Sequence, residues 1–65
     1  MSMYKPLTFR EKQLVSLRIS YRGGYTGYFR AGVLRLLKMG FTREEMLAAC
    51  VNDEMKDWVN RACDA

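Results

Sequence analysis

The side chains able to do chemistry in this chain are few. Histidine is absent, which removes the commonest general base and a common metal ligand. Ser2, Ser16 and Ser20 therefore have no imidazole to activate them. Glu44 and Glu45 are neighbours, about 100° apart around a helix, and cannot flank one scissile bond. Cys50 falls in an apolar stripe, where burial makes a thiol less reactive. Two cysteines without histidine fall short of the four ligands of a structural zinc site. No catalytic, cofactor-binding or metal-binding set is expected, and the chain reads as non-enzymatic.

What remains is binding chemistry. Arg22-Gly23-Gly24-Tyr25-Thr26-Gly27-Tyr28-Phe29-Arg30 interleaves arginine, glycine and aromatics. Such a loop can stack unpaired bases on Tyr25 and Tyr28 while Arg22 and Arg30 meet phosphates. It can equally be a turn whose tyrosines cover the edge of a core. The glycines make no phosphate loop, since no Gly-Lys-Ser/Thr follows. Charge is segregated along the chain. Residues 1–43 hold nine Lys/Arg and one acid, and residues 44–65 hold six acids and two bases, which together give the net +4. Either the first half is a basic face for nucleic acid or an acidic protein, or the two halves neutralise each other.

These residues need a scaffold, and 65 residues supply one small domain. A chain this short buries only about 60% of its unfolded surface. It has little room for a substrate cavity of roughly 300 Å³ or more, but ample surface for a partner. No uncharged run exceeds seven residues, far below the ~20 of a membrane span. Neither a membrane segment nor a signal peptide of the usual kind is expected, and the initial Met is read as a natural start.

The elements read as helices. Thr8 and Glu11 have capping-box spacing, which opens a helix at Phe9 that buries Leu14, Leu17 and Tyr21. Val15 to Arg22 also alternates apolar and polar, the period of a strand; the cap favours helix. Gly23-Gly24 breaks the chain. Phe29, Val33, Leu36 and Leu37 mark a second helix, roughly Tyr28 to Met39, with Arg30, Arg35 and Lys38 on its other face and Gly32 placed for close packing. Gly40 suits a left-handed helix end with Phe41 folding back. Thr42 and Glu45 repeat the capping box and open a third helix to about Val51, burying Met46, Leu47 and Cys50. Asn52 can cap a fourth that carries Met55, Trp58, Val59 and Ala62 at i, i+3, i+4 and i+7. A single helix through Asn52 fits the same stripe, and it would hold Cys50 and Cys63 ~20 Å apart. The thiols are expected to be reduced and half-buried.

Two helices joined by Gly40-Phe41-Thr42 have the form of a DNA-reading helix-turn-helix, but Glu44 and Glu45 at the entering end oppose phosphate. Leu7-Thr8-x-Arg10-Glu11 is locally similar to the first helix of LuxR-type DNA-binding domains. Met39-Gly40-Phe41-Thr42 with Glu45, Leu47, Ala49, the Asn52 turn and the Trp58-Val59 pair resembles the ubiquitin-associated three-helix fold over residues 28–63. That resemblance implies a shared apolar contact surface holding Met39, Phe41 and Val59. Met46 stands where the family usually has Ala, Lys56 falls where it is often apolar, and the basic N-terminal part has no counterpart. In size, basic helical character and lack of catalytic groups the chain also resembles small early-region accessory proteins of lambda-like temperate phages, which implies a host or phage factor as partner.

The expectation is an all-α bundle of three to four short helices forming one domain over residues 1–65. It is expected to be cytoplasmic and regulatory, without cofactors or small-molecule substrates. It would bind protein through Met39, Phe41, Trp58 and Val59, and pair with a second copy to cover leftover apolar surface. The alternative is a nucleic-acid-binding protein using Arg22, Arg30, Arg35 and Lys38.

Overall fold

Capping chemistry sets where each rod begins. In the computed structural model, which describes residues 6–65, helix α1 spans Phe9–Arg22, α2 Thr26–Lys38, α3 Arg43–Ala48 and α4 Asp53–Cys63. Ser2 and Lys5 lie outside the described residues. Among the described residues there is no strand, so the chain is a small all-α bundle. At α1 the Glu11 amide donates to Thr8 Oγ1 at 3.1 Å and the Thr8 amide donates to Glu11 Oε1 at 2.8 Å. Thr42 and Glu45 repeat this at 3.0 and 3.1 Å. The Met55 amide donates to Asn52 Oδ1 at 2.8 Å and opens α4. The two-helix alternative for residues 43–63 is therefore the one adopted. α3 stops at Ala48, earlier than its apolar pattern extends, because Ala49 and Cys50 close tight turns onto Met46 and Leu47.

Two glycines end the first two helices in the same way. Gly24 (φ 73°) and Gly40 (φ 95°) adopt the left-handed conformation that side chains disfavour. The Gly24 amide donates to Tyr21 O and the Tyr25 amide to Ser20 O. The Gly40 amide donates to Leu37 O and the Phe41 amide to Leu36 O. Both are Schellman motifs, and each places an aromatic residue just past the glycine.

One core joins the rods. Leu17, Phe29, Val33, Leu36, Phe41, Met46, Met55, Val59 and Ala62 form a single buried cluster, with Leu14, Tyr21, Leu37, Leu47, Cys50, Trp58 and Cys63 packed around it. Gly32 earns its place by proximity: a Cβ there would sit 3.2 Å from Leu17 Cδ2. Trp58 lies half-buried at the junction of three helices, edge-on to Tyr21 (4.9 Å) and to Phe29 (5.3 Å). Polar ties latch the periphery. Arg10 pairs with Glu45 at 2.6 Å and stacks 4.0 Å over Phe41. Arg18 Nε donates to Ala49 O at 2.7 Å. Arg43 pairs with Asp64.

This arrangement corrects part of the expected apolar contact surface. Phe41 is 3% exposed and Val59 0%, so both are core residues. The Schellman turn folds Phe41 inward beneath Arg10, and Val59 lies on the inner stripe of α4 between Met55 and Ala62. Met39 remains exposed at the end of α2, with its sulfur beside Arg35.

Candidate functional site

A protein surface scatters single apolar residues everywhere, so a cluster is what carries information. Ile19, Tyr25 and Tyr28 are 62%, 63% and 66% exposed, three of the four most exposed large apolar side chains described. All three border one depression of about 370 Å³ between α1 and α2, together with Ser16 and Ser20. A second depression of about 160 Å³ continues along the same helix pair, sharing Ser16, Ser20 and Tyr28 and adding Ala31, Gly32 and Arg35. Together they make one trough.

The helices build this trough in register. α1 and α2 form an antiparallel hairpin: Gln13 accepts from Arg35 at 3.2 Å, Leu17 touches Gly32, and Ser20 shares its depression with Tyr28. Small residues line the trough. Ser20 is buried, and its hydroxyl donates back to Ser16 O at 3.0 Å. Tyr25 forms one wall by lying across Gly23, where a Cβ would meet its ring carbon Cε2 at 2.3 Å. Gly23 itself has an ordinary right-handed backbone (φ −78°), so the ring needs this glycine and the turn does not.

Ile19 and the tyrosines thus act neither as core nor as its cover. The core residue of that segment is Phe29, 1% exposed. Ile19 carries a sequence signal, the strand-like alternation of Val15 to Arg22. Apolar residues two apart on a helix fall on opposite faces, so Leu17 inside obliges Ile19 to stand outside.

Two of the basic candidates, Arg30 and Arg35, border different depressions. Arg22, Arg30, Arg35 and Lys38 are all exposed. Arg35 borders the trough, whereas Arg30 borders a separate cleft of about 210 Å³ with Thr26, Phe29, Trp58, Arg61 and Ala62 on the other flank of α2. Trp58 contributes to that cleft and not to the trough.

Electrostatics set the remaining groups in structural roles. The Glu11 carboxyl is held below the usual glutamate range, first by the Thr8 amide and then by its hydroxyl. Glu45 is lowered by Arg10 and by the Thr42 amide. The carboxylates that opposed a DNA-reading helix are thus partly engaged in a cap and an ion pair, on a helix of six residues. Both cysteines are free and half-buried. Cys50 donates to Met46 O at 3.3 Å, and burial pushes its thiol up, away from the reactive thiolate. Among the described residues no group of three or more His, Cys, Asp or Glu is placed to hold a metal ion. No described helix is long and apolar enough to cross a membrane. Comparison with protein-family models, with curated proteins and with solved structures finds no match for this chain.

Proposed function

We propose that the chain is a non-enzymatic protein-interaction module that docks a segment of a partner in the trough between α1 and α2. The observation that carries this reading is the convergence of Ile19, Tyr25 and Tyr28 on one apolar trough. The core is closed without them. Exposed apolar groups gathered in this way mark interaction surfaces, and tyrosine is among the residues that anchor them. A regulatory role follows, since a chain of this kind acts by occupying another factor. The two free thiols fit a cytoplasmic setting.

One observation favours nucleic acid as a second reading. Lys12, Arg22, Arg30, Arg35 and Lys38 enter no ion pair among the described residues. Against it, Arg30 and Arg35 border different depressions, so they lay no single phosphate track.

A photo-crosslinking residue placed at Tyr28, and as a control at Val51, tests the docking reading in the chain's own cells. The expected result is a protease-sensitive adduct from position 28 and none from 51. A nuclease-sensitive adduct, or equal labelling from both positions, contradicts it.

A further inference from the structure

We propose that the occupant of the trough is an acidic amphipathic helix of a partner protein, an inference that rests on the docking reading above. Three features of the trough select it.

The first is the backbone. Both walls are α-helices, α1 and α2, whose N–H and C=O groups bond within their own rods. An extended segment laid between them would find no ladder to join, and its own peptide groups would lose water without compensation. A helix brings its backbone bonds with it and asks only for side-chain packing.

The second is shape. The trough is lined by the small residues Ser16, Ser20, Ala31 and Gly32, together with the exposed Ile19 and Tyr28. Small residues let a third rod approach closely. Apolar side chains spaced i, i+3 or i+4, and i+7 along it then drop between Ile19 and the tyrosines.

The third is charge. α1 and α2 together carry seven Arg/Lys and one acid, Glu11. Arg10 and Arg18 are engaged toward α3, by Glu45 and Ala49 O. Arg35 borders the trough. Lys12, four residues before Ser16, shares its stripe on α1, and Arg22 follows three residues after Ile19. A second copy docked on the same face would set two surfaces of like charge, each carrying Arg35 and Lys12, against one another. The chain's own acidic helix is a poor occupant too: Asp53 pairs with Lys56, Asp57 with Arg61, and Glu54 accepts from Tyr21. Nucleic acid would meet the same cations but would set its charged backbone over the largely apolar stretch lined by Ile19, Tyr25 and Tyr28.

The test uses the full chain and three labelled peptides about five turns long. They share one Leu/Phe face and carry Glu, Gln or Lys on the other. A single-stranded oligonucleotide is the fourth probe, and fluorescence anisotropy is the readout. The Glu peptide is expected to bind about tenfold or more tighter than the Gln peptide, with an advantage that shrinks as salt is added. Tyr28→Ala and Ile19→Ala, both exposed and expected to leave the fold intact, should each weaken it about tenfold. Arg35→Glu should erase the preference for Glu over Gln. Equal affinity for the Glu and Gln peptides would overturn the acidic partner and leave the docking reading standing. Binding of the oligonucleotide alone, or of no probe, would overturn both. Self-association that Tyr28→Ala abolishes would assign the trough to a second copy and overturn the inference.

Discussion

Tyr25 and Phe41 occupy the same position in the same motif, yet one is 63% exposed and the other 3%. Each directly follows the left-handed glycine that ends a helix, and each donates its amide to a carbonyl in the last turn, Ser20 O and Leu36 O respectively. Phe41 turns into the buried cluster that also holds Leu36, whereas the Tyr25 ring lies across Gly23. Tyr25 therefore stays outside, on the rim of the trough.

The two left-handed glycines have a definite energetic role. Gly24→Ala and Gly40→Ala force a Cβ into a conformation that costs roughly 1–2 kcal/mol, with open space around either site. Urea denaturation should show each variant destabilised by about that amount. An unchanged midpoint would show that the turns are not held in this geometry.

Gly23→Ala separates stability from binding. The new methyl displaces the Tyr25 ring and little else, because the Gly23 backbone is right-handed and the ring is exposed. Thermal melting should barely move, while affinity for a trough ligand falls severalfold. Equal retention of both would remove Tyr25 from the docking surface.

Phe41 and Tyr28 should respond oppositely to the same change. Phe41→Asp buries a carboxylate in the core, and Phe29→Ala removes a packed ring worth about 3–5 kcal/mol, comparable with all the stability a core this size supplies. Circular dichroism should show both unfolded or nearly so. Tyr28→Asp should keep its helical spectrum, since Tyr28 stands in solvent.

Acid should weaken the fold through Glu11 and Glu45. Both carboxyls are lowered in the folded state, the first by Thr8 and the second by Arg10 and Thr42. The stability they contribute is fully present above the ordinary glutamate value of about 4.3. It is lost as pH falls through the lower folded values. Thermal melts taken from neutral pH down to about 2 should show this decline, reduced in an E11Q/E45Q variant. A variant whose melting falls as steeply as the parent's would place the acid sensitivity elsewhere.

Much of the scaffold was legible from residue types alone. Thr8 with Glu11, Thr42 with Glu45, and Asn52 each announce a helix start through side-chain chemistry that acts within one turn. Gly40 announces a stop for an equally local reason. The stripe Phe29, Val33, Leu36 is buried as its spacing requires. Phe41 and Val59 depart from the contact surface that the resemblance implies, because the turn after α2 folds Phe41 beneath Arg10 and the inner stripe of α4 encloses Val59. The trough was hidden because it joins residues from two helices, and no window along the chain shows Ser16 beside Tyr28. Its one local sign was the alternation around Ile19, which a helix converts into an exposed isoleucine.

The central claim is that partners enter between α1 and α2. Isotope-labelled chain titrated with the Glu-faced peptide tests it directly by nuclear magnetic resonance. Amide shifts are predicted to concentrate at Ser16, Ile19, Ser20, Tyr28, Gly32 and Arg35, with α4 unmoved. Shifts centred on Trp58, Arg61 and Ala62 instead, or spread evenly over the surface, would contradict it.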